Sequence, residues 1–76
     1  MGSKILVSGS TYKSHKDNQA SHFAEILFVG SCYVVYKYYV DLEHYNARKF
    51  RESSDNIQMF KRVYPILLND SEGSYG

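Results

Sequence analysis

The sequence predicts one α+β domain: a small antiparallel sheet of three or four strands packed against one broken helix or two short helices. Two observations carry this prediction. The first is a pair of runs rich in aromatic and β-branched residues, Phe23 to Val29 and Cys32 to Val40, joined by Gly30-Ser31. The second is a change of hydrophobic period after Asp41, from the spacing of a strand to that of an amphipathic helix.

Length and composition favour a single domain. The 76 residues lie near the lower size limit for a self-supporting core. We expect residues 1–68 to form the domain and residues 69–76 to form a disordered polar tail. Cys32 is the one cysteine, so no internal disulfide can form, which favours a reducing compartment and a cytoplasmic location. The sequence lacks both a signal-peptide pattern and a run of about eighteen apolar residues, so we expect no contact with a membrane.

The first strand is predicted at Lys4–Ser8, a short apolar run that Gly9 follows. The polar stretch Lys13–Ser21 is predicted to be an exposed loop. A last short strand is expected at Ile66–Leu68. Together with the hairpin, these segments account for the three or four strands of the predicted sheet.

The hairpin is apolar on both faces. Gly30-Ser31 is predicted to be a two-residue turn with positive φ at the glycine, which places Val29 opposite Cys32 and Leu27 opposite Val34. By strand alternation, one face then carries Phe23, Glu25, Leu27, Val29, Cys32, Val34, Tyr36 and Tyr38, and the other carries His22, Ala24, Ile26, Phe28, Tyr33, Val35, Lys37 and Tyr39. A half-exposed sheet normally has one polar face, so both faces of this hairpin need an explanation.

Two helical segments are predicted after the hairpin. Asp41 is a good N-cap for a helix over Leu42–Glu52, and Ser53–Asn56 breaks that helix. Asp55 and Gln58 resemble a capping box that opens the second helix.

The second helix has a clear apolar face. Ile57, Phe60 and Tyr64 fall on one side of it, and Pro65 ends it because the residue before a proline is biased out of the helical region. A helical segment of this size covers one face of the hairpin, and we expect it on the face that carries Val34, Tyr36 and Tyr38.

The other face of the hairpin is the predicted contact surface. Exposed aromatic and aliphatic clusters commonly mark interaction sites, and tyrosine is favoured in them. The residues expected to point outward are Ile26, Phe28, Tyr33, Val35, Lys37 and Tyr39. The alternative is that the N-terminal strand or Ile66–Leu68 folds over this face and makes it part of the core.

The basic residues suggest a second kind of partner. The net charge of +1 is too small to indicate nucleic acid by itself. Phosphates are nevertheless bound by clusters of cations, and tyrosines can stack on unpaired bases. The cations that would serve a single-stranded RNA or DNA are Lys37, Arg48, Lys49, Arg51, Lys61 and Arg62. The alternative for the helical cations is an ordinary solvated face.

The order of several residues resembles that of the KTSC domain family. Its central Tyr-x-Tyr motif is similar to Tyr36-Lys37-Tyr38, and its apolar strand with a glycine is similar to Ile26-Leu27-Phe28 and Gly30. Further positions in similar order are Val40, Tyr45, Ser54, Phe60 and Tyr64-Pro65. The family has a proline where this chain has Asp41. The resemblance covers most of the chain from Ser3 to Pro65; it implies an RNA-binding role and supplies no catalytic residues.

The sequence shows no pattern for catalysis, a metal or a cofactor. The candidate metal ligands His15, His22, His44 and Cys32 are not paired at the spacing of zinc sites. A Cys32 nucleophile served by a histidine is conceivable, but a thiol on an apolar strand is ordinarily inert.

The sequence therefore predicts a non-enzymatic binding module. We expect a protein partner or a second copy of the chain, bound through the tyrosine-rich hairpin face, and single-stranded nucleic acid is the alternative. Short single-domain proteins without catalytic motifs are also typical of phage or mobile-element inhibitors of host proteins.

Overall fold

The computed structural model describes residues 6–68 and contains one five-stranded antiparallel sheet in the order β4-β3-β2-β1-β5. The elements are β1 (Thr11–Lys13), a short 3₁₀ helix (Asn18–Ala20), β2 (Phe23–Val29), β3 (Tyr33–Tyr39), α1 (Leu42–Ala47), β4 (Arg51–Asn56), α2 (Ile57–Val63) and β5 (Ile66–Leu67). The predicted α+β class is confirmed, with five strands rather than three or four. The predicted tail, 69–76, lies outside the described residues.

The first strand lies later in the chain than the sequence predicts. Residues 4 and 5 are outside the described part, and residues 6–8 are not in a strand. Gly9 has a φ of 92° and its N–H donates to the carbonyl of Ile26 at 2.8 Å, so the chain turns there. Only after this turn does Thr11–Lys13 pair with β2. Leu6 packs its side chain into the core instead.

The polar loop after β1 is exposed over residues 15–20, as predicted. Its last residue, Ser21, is instead buried and hydrogen-bonded to the loop backbone. Ser21 is 1% exposed. Its hydroxyl accepts from the N–H of His15 at 2.9 Å, and the hydroxyl of Ser14 accepts from the N–H of His22 at 2.9 Å. These bonds close the loop around the buried Ser21, which the polar composition of the loop does not indicate.

The hairpin of β2 and β3 is confirmed, but its register differs from the predicted one. Val29 pairs with Val34, and a bulge lies between Ile26 and Phe28, where Leu27 has no partner. Gly30 does not have positive φ. Its N–H donates to the carbonyl of Tyr33 at 2.8 Å, which closes a longer turn than the predicted two residues.

The bulge decides which residues of β2 face the core. An extra residue in one strand reverses the sides of everything beyond it. The sequence therefore predicts the correct face of the sheet for every residue of β3 and for Phe28. It predicts the wrong face for the residues of β2 that precede the bulge. Ile26 and Ala24 are buried in the core rather than outward, and Phe23 is on the outward side.

The segment predicted as one helix over Leu42–Glu52 contains a short helix and a strand. Asp41 is the N-cap, as predicted, and accepts from the N–H of His44 at 2.9 Å. The helix α1 ends at Ala47 because Arg48 adopts the left-handed conformation, φ 59°. The chain then returns as β4, which pairs with β3 along its whole length.

The second helix and the last strand agree closely with the sequence. Asn56 rather than Asp55 caps α2, through a bond from the N–H of Met59 to its side-chain oxygen at 2.8 Å. Phe60 and Tyr64 are buried on the predicted apolar face. The helix ends at Val63, before Pro65, and β5 follows it.

The core lies between α2 and one face of the sheet, which we call the core face. It consists of Leu6, Tyr12, Ala24, Ile26, Val34, Tyr36, Phe60 and Tyr64. The opposite side of the sheet is called the outer face below. None of the helices described over residues 6–68 has the length and apolar character needed to cross a membrane.

Candidate interaction surface

One end of the outer face is covered by α1. Tyr45 of α1 stacks on Phe23 with a centroid distance of 5.0 Å, and it meets Tyr39 edge-on at the same distance. Phe23 and Tyr39 are both 0% exposed as a result. A six-residue helix therefore turns this end of the outer face into a second, smaller core.

Tyr39 is consequently not a contact residue. The sequence places it on the outward face, and that face is correct, but its ring is enclosed by Phe23, Tyr45 and Phe50. Its hydroxyl donates to Glu25 Oε1 at 3.0 Å. Burial, and then the hydrogen bond to Glu25, raise the pKa of Tyr39. The prediction that Tyr39 contacts a partner is therefore wrong.

A charged row crosses the middle of the outer face. Glu25, Lys37 and Glu52 occupy adjacent positions on β2, β3 and β4. The Lys37 ammonium lies 4.7 Å from the centroid of the Phe50 ring, in position for a cation–π contact. This row separates the covered end of the outer face from the open end.

The open end carries the exposed aromatic residues. Phe28 and Tyr33 are 52% and 45% exposed, and their ring centroids are 5.9 Å apart. Val35 lies opposite Phe28 and is partly buried beside it. The Tyr33 ring also lies over Gly30, where a side chain would meet it at 2.5 Å. The glycine is thus needed for close approach of this ring and not for an unusual φ.

We call Phe28, Tyr33, Val35 and Lys37 the open patch. These are four of the six residues predicted to point outward, since Ile26 and Tyr39 are buried. Phe50, which is 48% exposed, lies on the other side of the charged row, beside Lys37 and Tyr39. The sequence reasoning misses Phe50 because it places this residue inside a helix. Neither predicted covering segment lies here: within residues 6–68, β5 extends the sheet beside β1, and Leu6 packs in the core.

The predicted basic residues fall into two groups. Lys49 and Arg51 line a concavity of about 230 Å³, together with His44, Phe50, Tyr38 and Val40. Lys37 and Arg48 lie close by, on the rings of Phe50 and Tyr45 respectively.

The other two cations, Lys61 and Arg62, are exposed on α2, which covers the core face. The six candidate cations are therefore not all in one place. Arg51 belongs to a strand and Arg48 to the turn before it, so the cations predicted on one helix lie on different elements.

The candidate metal and catalytic histidines each contact a residue other than Cys32. His44 Nδ1 is 2.7 Å from Asp41 Oδ1, and the backbone N–H and then the side chain of His44 lower the pKa of Asp41. His22 Nδ1 contacts the carbonyl of Val40 at 2.8 Å. No group of three or more potential metal ligands occurs among residues 6–68. Cys32 is exposed in the turn, and none of the side-chain hydrogen bonds described for the histidines involves it.

No family model, curated protein or solved structure matches this chain. The resemblance to the KTSC family therefore stays a prediction, and the open patch with the residues around it is the feature of this chain that indicates a function.

Proposed function

We propose that this chain is a non-enzymatic binding module that recognises a protein partner through the open patch. The observation that carries the proposal is the pair Phe28 and Tyr33, two neighbouring aromatic rings that are each about half exposed at the end of a paired hairpin. Large aromatic side chains supply much of the binding energy in protein interfaces, so their exposure on a folded domain favours a contact role.

The surroundings of the two rings support a protein partner. Val35 extends the apolar area, and Lys37 and Glu52 supply charged groups at its margin. An apolar centre with a polar rim is typical of protein interfaces. The strands β2 and β3 hold this surface in a fixed shape, which reduces the entropy lost on binding. An inhibitor of a host protein, encoded by a phage or mobile element, fits the same description.

Single-stranded nucleic acid is the second candidate. It is favoured by the exposed ring of Phe50, which lies under the Lys37 ammonium and lines a concavity together with Lys49 and Arg51. Cations beside an exposed ring suit a phosphate backbone with a stacked base. The small net charge of +1, and the position of Lys61 and Arg62 on α2 away from Lys37, make this the weaker candidate.

The test compares two double variants of matched exposure. Phe28→Ser with Tyr33→Ser removes both rings of the open patch, whereas Met59→Ser with Leu67→Ser removes two side chains of similar exposure elsewhere. Proteins captured by wild-type and control chains are identified by mass spectrometry, and the affinity of the recovered partner is then measured. We expect the patch variant to lose at least about tenfold in affinity, as substitutions at interface hot spots do.

Circular dichroism and urea unfolding establish that both double variants are folded. Substitutions at exposed positions usually change the free energy of unfolding by about 0.5 kcal/mol each. Equal capture by the patch variant and the control would contradict the proposal. Binding to mixed oligonucleotides that weakens steeply with salt, with no protein captured, would favour the second candidate instead. Tyr39→Ser is unsuitable for this purpose because it would disrupt the covered end of the outer face.

A further inference from the structure

The strand β4 is an open edge of the sheet. It pairs with β3 on one side only, and the sheet order leaves its other side without a neighbour within residues 6–68. None of its six residues is buried. The strand at the opposite edge, β5, has only two residues. An edge strand of this length presents a row of backbone N–H and C=O groups that another strand can pair with.

We propose that β4 pairs antiparallel with β4 of a second copy of this chain, about a two-fold axis that passes between the two Ser53 residues. The charged residues of β4 favour this register over the others. It concerns the edge of the sheet and is independent of the function proposed for the open patch.

Symmetry restricts the registers that β4 can adopt. In a continuous antiparallel sheet, residues that lie opposite each other share a face. Arg51, Ser53 and Asp55 are on the core face, since they lie opposite Tyr38, Tyr36 and Val34 of β3. Glu52, Ser54 and Asn56 are on the outer face. Consecutive residues lie on different faces, so residue i of one copy cannot lie opposite residue i+1 of the other. The two-fold axis perpendicular to the sheet must therefore pass through a position at which a residue lies opposite its own copy.

Only one of these registers pairs opposite charges. Centred on Ser53, it places Arg51 of each copy opposite Asp55 of the other, which gives two complementary pairs. Centred on Ser54, it pairs no opposite charges. A register centred on Glu52 or on Asp55 sets two like charges directly opposite each other, which is destabilising. The register centred on Ser53 is therefore the favoured one.

The two residues of the charged pair are available for this contact. Arg51 is exposed, and Asp55 is partly exposed. Asp55 Oδ2 accepts from the hydroxyl of Tyr36 at 2.7 Å, which orients the carboxylate while its other oxygen is left to accept from a guanidinium.

Pairing in this register would place two open patches on one surface. A two-fold axis perpendicular to the sheet keeps both outer faces on the same side. The two copies of Phe28 and Tyr33 would then face one direction, and a partner with two equivalent sites would bind both at once with a gain in avidity.

Disulfide trapping tests the register. In the Cys32→Ser background, which removes the exposed thiol, Ser53→Cys puts two thiols opposite each other on the two-fold axis. Opposite residues of antiparallel strands have Cα atoms about 4.5–5.5 Å apart, within the range of a disulfide. Ser54→Cys is the matched control, because its two copies would be diagonal neighbours about 7–8 Å apart.

Oxidised glutathione supplies the oxidant in both reactions and takes up the two electrons and two protons of the thiols. We expect Ser53→Cys to form covalent dimer at least about tenfold faster than Ser54→Cys. Faster trapping of Ser54→Cys, or equal slow trapping of both, would overturn the proposed register.

Charge exchange tests the pairing itself, by sedimentation velocity of the full chain at several concentrations. Arg51→Asp sets two aspartates opposite each other, and Asp55→Lys sets two cations opposite each other. At concentrations at which the wild type is dimeric, each variant alone should be monomeric. An equimolar mixture restores both opposite-charge pairs and should form a heterodimer.

A wild-type chain that stays monomeric at every concentration would overturn the proposal and would show that the charges of β4 protect the edge from pairing. A dimer that Arg51→Asp leaves unchanged would also overturn it. This variant is decisive even if Asp55→Lys fails to fold, because Arg51→Asp leaves the contact between Tyr36 and Asp55 intact.

Discussion

The position of the Tyr33 ring depends on the absence of a side chain at Gly30. A Cβ atom at this position would lie 2.5 Å from Cε1 and 2.8 Å from Cδ1 of the ring. Both distances are well inside van der Waals contact, so the ring must move if a methyl group is added. Since Tyr33 is 45% exposed, it can move outward without disturbing the core.

Gly30→Ala should therefore change the open patch without unfolding the domain. We expect the Tyr33 ring to leave its place beside Phe28, so partner affinity falls severalfold while the free energy of unfolding changes by less than about 1 kcal/mol. Proton NMR of the two rings reports the displacement, and urea unfolding reports the stability. The same substitution in the Tyr33→Ser background should have no further effect on affinity. An additional loss there would show that Gly30 acts through something other than this ring.

Sequence alternation identifies the residues of β3 on each face, but it does not reveal which of them are covered. Tyr33 and Tyr39 lie on the same face of the same strand, and one is half exposed while the other is fully buried. The difference comes from Tyr45, which lies six residues beyond Tyr39 and folds back over it. Contacts between elements of this kind are not encoded in the period of a single strand.

For the secondary-structure elements, prediction from the sequence is wrong where the residue pattern of a segment differs from the strand pairing that the segment makes in the fold. Arg51–Asn56 has no alternation of apolar and polar residues, and its charged residues suit a helix or a break. It forms β4 because β3 offers a free edge and because Asp55 accepts a hydrogen bond from Tyr36. The bulge at Leu27 is similar, since no residue type there marks an extra residue in the strand.

The short helix α1 is held mainly by what it covers. It has six residues, too few for a helix that is stable by its own backbone bonds. Tyr45 supplies two aromatic contacts, one with Phe23 and one with Tyr39. Each pair of this kind is worth about 0.5–1.5 kcal/mol beyond the area it buries.

Tyr45→Ala should lower the free energy of unfolding by about 2–3 kcal/mol and expose Phe23 and Tyr39. Urea unfolding gives the stability, and binding of an apolar dye gives the exposure. Asn46→Ala is the matched control on the same helix, because Asn46 is exposed, and it should change stability by about 0.5 kcal/mol or less. Equal stability of the two variants would mean that the aromatic contacts of Tyr45 do not hold α1 in place.

For the molecule as a whole, tyrosines take much of the place that aliphatic side chains have in other small cores. Tyr12, Tyr36 and Tyr64 surround Phe60 beneath α2, and Tyr39 fills the smaller core under α1. Tyrosine brings a large apolar area to a short chain, but its hydroxyl can ionise. The sequence shows the number of tyrosines and cannot show that four of the seven within residues 6–68 are buried.

This arrangement predicts that the domain loses stability at high pH. Burial raises the pKa of Tyr12, Tyr36, Tyr39 and Tyr64 above the ordinary value of 10.0, and Asp55 and Glu25 add to the effect at Tyr36 and Tyr39. The folded chain therefore keeps protons that the unfolded chain has already released. This contribution to stability is fully present below pH 10.0 and is lost as the pH rises through the folded-state pKa values.

Urea unfolding below and above pH 10.0 should show a fall of up to about 1.4 kcal/mol per pH unit for each hydroxyl that stays protonated in the folded chain. Tyr36→Phe removes one of these groups and should make the fall less steep, although it lowers the stability at neutral pH by removing the bond to Asp55. Tyrosinate absorbance provides an independent measurement, because folded protein should titrate later than protein in urea. Coincident titration curves would contradict the prediction, since they would mean that the buried hydroxyls ionise as readily as those of the unfolded chain.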